Sequence, residues 1–206
     1  SKLSLSAFKG RYQSWCRKNN YNYSENKATE IYAYSKTQVS VLPMTDSVIK
    51  IITEAALLLN STLETLCAFR DEMDRLSSML PEYKVVMELY GVGKVLGSQL
   101  IAEIGDVRRL NNSKSLVALA GIDPPPNQSG QVDTKSRSIS KRGSPALRKT
   151  LFQIMTIIVQ NKPVHEPVYQ FLDKKRSEGK PYRVYMIAAT RKFLRIYYAR
   201  VIQAVT

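Results

Sequence analysis

The feature that most constrains the fold is a heptad repeat of apolar residues between Thr45 and Leu80. Thr45 can cap a helix, Asp46 adds favourable charge to the first turn, and no Gly or Pro follows until Pro81. Eight of the ten core positions are apolar; the ten are Ile49, Ile52, Ala56, Leu59, Leu63, Leu66, Arg70, Met73, Ser77 and Leu80. A helix of this length extends roughly 50 Å. We therefore expect a helix over residues 45–80 that forms a coiled coil and makes the protein a homo-oligomer. Packing against helices of the same chain is the alternative.

Helical patterns on both sides of this repeat predict a mainly α fold. Residues 1–44 are polar and rich in Asn and Tyr, and weak helical periodicity is confined to 28–41, before the break at Pro43. Residues 81–206 are expected to form a helical domain. Its predicted elements are a glycine-containing hairpin at 82–105, a short helix at about 113–120, a helix that begins at Ser144-Pro145, and two helices at about 167–178 and 182–205.

A Gly-Val-Gly step at residues 91–93 separates the two helical segments of the hairpin. With the small residue Gly97 four positions further on, this spacing is typical of the helix-hairpin-helix motif, because glycines permit a tight hairpin and a close helix crossing. Free N–H groups at the start of the second helix can hold a phosphate oxygen, and Lys94 adjoins them. We predict that Gly91, Gly93 and Lys94 contact DNA. A helical turn used only for packing is the alternative.

Positive charge is concentrated in the C-terminal third of the chain. The net charge is +14. From Gln131 to the end there are 16 Lys and Arg against four acids, a balance of +12, whereas the first 130 residues hold 15 bases and 13 acids, a balance of +2. This distribution favours a nucleic-acid partner over a merely soluble basic surface. The predicted DNA contacts in the loop and helix after the triple proline are Lys135, Arg137, Lys141, Arg142, Arg148 and Lys149, with Arg148 and Lys149 on the outer face of the helix.

Several other classes of site are poorly supported. Cys16 and Cys67 are far apart in sequence, which indicates no disulfide framework and is typical of a cytoplasmic protein. No metal site is predicted, because the cysteines lack ligand spacing and the acids of the basic third are not clustered. His165 is the only histidine and lies in a proline-flanked turn, where we expect an ordinary surface residue. No uninterrupted apolar run approaches the roughly 20 residues of a membrane span, so no membrane partner is expected.

The order of these pieces resembles the C-terminal half of the Piv-like insertion-sequence transposases and invertases, whose members are also called bridge-RNA-guided recombinases. The resemblance is carried by "AEIGD", "ALAGIDP", "QSG" and "SKRG", which follow the heptad repeat in this order. It is specific over residues 80–151. By architecture it extends from the heptad repeat to near the C-terminus.

The resemblance implies a serine nucleophile that attacks a DNA phosphodiester and forms a phosphoserine link. The serine of that family lies in the "SG" step after the Gly-Ile-Asp-Pro segment, which corresponds here to Ser129. Ser136, Ser138 and Ser140 are then ordinary loop serines. A serine hydroxyl is a weak nucleophile at neutral pH and needs a base or a metal to activate it. A turn serine without a chemical role is the alternative reading of Ser129.

The resemblance also implies a second domain and further partners. In that family an RNase-H-like N-terminal domain carries four metal-binding carboxylates, and residues 1–44 are too short to form one. The sequence is therefore expected to be the C-terminal domain of a transposase, inactive when isolated, with no cofactor of its own and Mg²⁺ confined to the missing domain. Its implied partners are DNA and a guide RNA, in the bacterial cytoplasm.

Two other functions stay open from the residues themselves. The first is a helix-hairpin-helix module that binds DNA or structured RNA and performs no chemistry. The second is a coiled-coil interaction protein whose basic C-terminal third binds acidic partners. Both lack a covalent step, so an adduct between Ser129 and DNA distinguishes them from the recombinase.

Overall fold

The fold is mainly α, as predicted. The computed structural model describes residues 3–38, 43, 45–124 and 138–206. Regular structure in these residues consists of α-helices and one 3-10 turn. The chain divides into two compact units, Ser1–Thr62 and Leu63–Thr206.

Two short helices pack together in the first unit, α1 (Leu5–Lys18) and α2 (Glu25–Thr37). Ser4 and Ser24 cap them, since each hydroxyl accepts a hydrogen bond from a backbone N–H three residues on. Their contact buries Cys16 and Ala28. Only α2 was expected from the sequence.

Sequence reasoning missed helix α1, although Leu5, Phe8, Tyr12 and Trp15 repeat at helical spacing. Three of these four residues are aromatic. In the structure, the rings of Phe8, Tyr12 and Trp15 stack along the helix with centroid distances of 6.2 and 6.3 Å. Ring stacking of this kind stabilises the helix surface that these residues form.

Helix α3 (Asp46–Ser77) has 32 residues and corresponds to the predicted long helix. The amide of Val48 donates to the Thr45 hydroxyl over 3.4 Å, which agrees with the predicted cap. Among the residues of α3, only Ser77 is buried. The heptad positions from Ile49 to Arg70 are open to solvent; Leu59, for example, is 60% exposed. Within the described part of the chain, the apolar stripe of α3 therefore has no cover over most of its length.

By length and composition alone, α3 is also apolar enough to cross a membrane. This differs from the expectation drawn from uninterrupted apolar runs, because the helix alternates apolar stretches with single charged residues. Lys50, Glu54 and Glu64 interrupt its surface. Such a helix is weak support for a membrane span, since a heptad stripe that meets another helix has the same overall composition.

The second unit contains six further helices among its described residues. They are α4 (Tyr83–Met87), α5 (Lys94–Ile104), α6 (Ser113–Leu119), α7 (Pro145–Asn161), α8 (Pro167–Ser177) and α9 (Tyr182–Val205), with a 3-10 turn at Val107–Arg109. The predicted starts of α7 and α9 are confirmed, and Ser144 caps α7 with Pro145 in its first turn. The first arm of the hairpin is shorter than expected, because α4 ends after five residues.

Helix α9 forms the centre of this unit. It packs against α4, α6, α7, α8 and the 3-10 turn. Phe193, Leu194 and Tyr197 on its inner face are almost completely buried, together with core residues such as Leu100 of α5 and Leu151 of α7. Full burial of one such side chain contributes about 1.5–3 kcal/mol. This core holds the hairpin and the ends of the basic loop in fixed positions.

Candidate nucleic-acid interface

The glycine hairpin lies between α4 and α5, and its glycines have different structural roles. Gly91 has φ of 81°, and a Cβ there would lie 3.3 Å from the Ile154 carbonyl oxygen. Gly93 caps α5, and a Cβ on it would meet open space. At Gly97 a Cβ would lie 2.2 Å from the Met87 side chain. Glycine at position 91 is therefore favoured by its positive φ and by the nearby backbone, whereas a side chain at Gly97 would require the flexible end of Met87 to move and Gly93 is free of steric constraint.

Lys94 opens α5 and is 79% exposed, so its ammonium group is accessible to a ligand. Its Nζ lies 3.6 Å from an oxygen of Asp74 near the end of α3. The other Asp74 oxygen accepts hydrogen bonds from the Tyr83 hydroxyl over 2.7 Å and the Ser98 hydroxyl over 3.3 Å. The hydrogen bond to Asp74 and burial raise the pKa of Tyr83. Asp74 thus joins α3, α4 and α5 and partly offsets the charge of Lys94.

The two ends of the basic loop are joined in what we call the loop neck, residues 119–124 and 138–144. Backbone amides of Ser140, Lys141 and Ser144 donate to the carbonyls of Asp123, Gly121 and Leu119, over 2.8, 3.0 and 2.7 Å respectively. These bonds pair the segment that ends "ALAGID" with the segment "SISKRGS". Residues 125–137 lie between the two ends and are outside the described residues.

Glycine is required on both sides of the loop neck. A Cβ on Gly143 would lie 2.1 Å from the Leu119 carbonyl oxygen and 2.4 Å from the Gly121 amide nitrogen. A Cβ on Gly121 would lie 2.5 Å from the Gly143 amide nitrogen. Real Cβ atoms do not approach backbone this closely, and backbone atoms in a paired segment cannot move aside. The glycines of the "AGID" and "SKRG" motifs therefore permit the close approach of two backbones.

Three side chains add hydrogen bonds to the loop neck. The Ser140 hydroxyl donates to Asp123 over 2.6 Å. Arg148 of α7 donates through Nη1 to the carbonyls of Ala120 and Gly143, each over 3.0 Å. Arg191 of α9 donates through Nε to the Ile122 carbonyl over 3.0 Å. Charged donors of this kind bind carbonyls more strongly than neutral donors.

The environment of Arg191 is both apolar and charged. Burial lowers the pKa of Arg191, Asp123 counteracts this effect, and the nearby Arg195 adds to the lowering. An arginine side chain stays protonated at neutral pH in spite of such shifts. Arg191 therefore brings a permanent positive charge to the loop neck from the far end of the chain.

The predicted site residues fall into four groups. Ser129, Lys135 and Arg137 lie outside the described residues. Lys141, Arg142 and Lys149 are exposed at the loop neck and the first turn of α7. Arg148 points to the neck carbonyls and is half-buried, which differs from its predicted outward position. Gly91, Gly93 and Lys94 lie at the start of α5, as described above.

Hydrogen bonds connect the loop neck to the hairpin helix α5. The Ser144 hydroxyl donates to Glu103 over 2.8 Å and accepts from the Leu147 amide over 3.1 Å. Further along α7, the Thr150 hydroxyl donates to the side chain of Gln99 in α5 over 3.4 Å. Helices α5 and α7 also pack against each other. The two predicted phosphate-binding elements therefore lie on adjacent helices of one rigid core.

Sequence reasoning missed two residues at the loop neck, Asp123 and Arg191. In the sequence Asp123 appears only as part of the "ALAGIDP" motif, and Arg191 lies in the last helix, outside the predicted DNA contacts. The only local signal was the single acid at the end of "AGID", beside a loop that is rich in cations. Among the described residues, no group of three His, Cys, Asp or Glu side chains comes together in a metal-binding arrangement.

Residues 83–170 match the model of the transposase IS116/IS110/IS902 family. This segment is similar to the transposase domain of that family. It runs from α4 to the first turn of α8, so it contains the hairpin, the loop neck and α7. The family resemblance found from the sequence motifs is confirmed.

The curated relatives of this chain carry related names. Two are pilin gene-inverting proteins, from Moraxella bovis and Moraxella lacunata, and each is 28% identical over 177 residues, which are 85% of this chain and 50% of the relative. A third is the uncharacterized 42 kDa protein of insertion element IS900 from Mycobacterium paratuberculosis, which is 24% identical over 117 residues, or 56% of this chain and 28% of that protein. The chain spans about half the length of the pilin gene-inverting relatives.

Proposed function

We propose that this chain is the DNA-binding and nucleophile-bearing part of a transposase or site-specific recombinase, with Ser129 as the attacking group. The observation that supports it is the transposase-family match, which covers the loop neck and the serine motif in one segment. Names such as "pilin gene-inverting protein" among the relatives agree with a role in DNA recombination.

The proposed step is a transesterification. The Ser129 oxygen forms a bond to the phosphorus of a DNA phosphodiester, the hydroxyl proton passes to a base, and the bond from phosphorus to one deoxyribose oxygen breaks. The released deoxyribose oxygen takes up a proton. Exposed cations at the loop neck, Lys141 and Arg142, would stabilise the charge on the transferring phosphoryl group. The family resemblance assigns Mg²⁺ and activation of the serine to a separate RNase-H-like domain.

The test uses the chain joined to an acid-bearing N-terminal domain of a relative, with labelled branched DNA on a denaturing gel. We expect a covalent protein–DNA adduct that Ser129→Ala abolishes. Ser138→Ala is the matched control, because it removes an exposed loop serine and should leave most of the adduct. An adduct that survives Ser129→Ala would reject the assignment. Binding without any adduct would favour the non-catalytic nucleic-acid-binding module.

We propose further that α3 pairs with a second copy of the chain. Its heptad residues are exposed in a single chain, and an exposed apolar stripe of this length is unfavourable in water. Pairing would place two copies of the loop neck in one assembly, as expected for an enzyme that joins two DNA sites. A guide RNA is a further partner that the family resemblance implies.

A further inference from the structure

A basic groove lies where α8 meets α9, outside the residues that match the transposase family. Its volume is about 530 Å³. Arg191, Lys192 and Arg195 line it, and Phe171 and Ile196 contribute apolar surface. We call it the α8–α9 groove. It combines concentrated positive charge with an aromatic ring.

The cations of α9 are not held in ion pairs, although Asp123 acts on Arg191 at the loop neck. The helix carries five Lys and Arg residues and no Asp or Glu. In the described part of the chain, none of the five forms an ion pair with a carboxylate. On the neighbouring α8, by contrast, Lys175 pairs with Glu178 over 2.7 Å and Arg176 with Asp173 over 2.6 Å. Apart from Arg191, the charge of α9 is therefore available to an external anion.

The cations of the groove are close enough to repel one another. Arg191 and Arg195 are four residues apart on one helix face, where like charges destabilise the helix. The Nζ of Lys192 lies 5.0 Å from the centre of the Phe171 ring, and that of Lys175 lies 5.8 Å from the same ring. An anion in the groove would remove this repulsion.

Arg191 connects the groove to the proposed reaction site. Its guanidinium lines the groove and also donates to the Ile122 carbonyl at the loop neck. A chain of phosphates in the groove would therefore run beside the neck of the loop that carries Ser129. A basic groove with an aromatic wall is typical of proteins that bind single-stranded nucleic acid, because phosphates meet cations while a base or sugar stacks on the ring.

We propose that the α8–α9 groove binds a single strand of nucleic acid, with Lys192 and Arg195 contacting phosphates and Phe171 contacting a base or sugar. The choice of nucleic acid as the occupant rests on the proposed function, and the groove adds a binding site for the strand beside the loop neck. Arg191 acts as a positioning residue, because its donors are already engaged by the loop neck.

The test is fluorescence anisotropy of the 206-residue chain with a labelled single-stranded oligonucleotide of mixed sequence, over a series of salt concentrations. Lys192→Gln with Arg195→Gln should weaken binding about tenfold or more and reduce the slope of affinity against salt by roughly one to two phosphates. The matched control is Arg183→Gln with Arg200→Gln, which removes the same charge from exposed positions of α9 outside the groove. We expect a loss of about threefold or less from the control.

Two further variants separate the parts of the groove. Arg195→Lys should restore most of the affinity lost in Arg195→Gln, since it keeps the charge. Phe171→Leu should weaken single-strand binding more than duplex binding. Thermal melting of each variant identifies any loss of folding, and Arg195→Gln is expected to melt like the parent because Arg195 is exposed.

Equal losses from the groove pair and the control pair would overturn the proposal, because they would indicate a general charge effect. It would also be overturned if the groove pair bound the oligonucleotide normally and lost binding only to phosphatidylserine vesicles or to polyglutamate. These binding measurements do not depend on the proposed reaction at Ser129. Groove-dependent binding without a Ser129 adduct would therefore reject the proposed reaction and keep the groove, and the converse result would reject the groove alone.

Discussion

Helices α3 and α9 are the two longest in the described chain, and both are rich in apolar residues, but the environments of those residues are opposite. In α9, Phe193 is 2% exposed and the helix packs against four other helices. In α3, Phe69 is 65% exposed and only Ser77 is buried. Apolar content therefore does not determine which helix forms the core. The presence of covering helices in the same chain determines it.

The charged faces of the two helices also differ. The cations of α9 lack acidic partners among the described residues, whereas on α3 Arg75 donates to both carboxylate oxygens of Glu72 over 2.7 and 2.6 Å. This bond lowers the pKa of Glu72 and raises that of Arg75. Helix α3 thus presents apolar surface with internally paired charge, which suits another helix. Helix α9 presents unpaired charge outside an apolar core, which suits a polyanion.

The largest expected effect comes from truncating the same residue type on the two helices. Phe193→Ala should lower the free energy of unfolding by about 3–5 kcal/mol, because it leaves a cavity in the core. Phe69→Ala is the matched control and should change it by about 0.5 kcal/mol or less. Urea denaturation measures both values. Similar losses from the two variants would mean that α3 is buried in solution to the same extent as α9.

The next effect concerns association through α3. Leu59→Lys with Leu66→Lys should convert a dimer or larger species into a monomer at tens of micromolar, since two charges in a coiled-coil seam are unfavourable on both chains. Analytical ultracentrifugation measures the mass. Leu57→Lys with Leu58→Lys is the control, because these exposed residues lie outside the heptad positions. A monomeric parent protein would contradict the coiled coil. Co-sedimentation of the parent protein with lipid vesicles would favour a membrane-bound helix.

The smallest effect is a pH dependence that arises in α9. Burial raises the pKa of Tyr197 above its ordinary value of about 10. The hydroxyl stays protonated in the folded state while it ionises in the unfolded state. Its contribution to the stability of the folded state is therefore fully present below about pH 10 and is lost as the pH rises. The loss should approach about 1.4 kcal/mol per pH unit. Urea denaturation at pH 9 and pH 11 should show that Tyr197→Phe reduces this loss. If Tyr197→Phe leaves the pH dependence of stability unchanged, other ionisable groups cause it.

Much of this architecture follows from local sequence signals. The heptad repeat and the Thr45 cap predict α3 to within a few residues, and Ser144-Pro145 predicts the start of α7, because caps and periodicity act through neighbouring residues. The same holds for Gly91, whose positive φ is a local property of the turn. Motif order was sufficient to find the transposase family.

Other features depend on residues that are distant in sequence. Gly143 is required by the backbone of Leu119 and Gly121, and Arg148 turns inward because two carbonyls of the loop neck need a donor. Arg191 reaches Ile122 across 69 positions of sequence. Periodicity and composition do not predict such contacts, because each contact depends on which backbone segments the folded core brings together. By itself the sequence determined most of the helices, the concentration of positive charge and the family resemblance. Tertiary structure decided which apolar face is covered, which cations support the loop neck and which ones are left to bind a ligand.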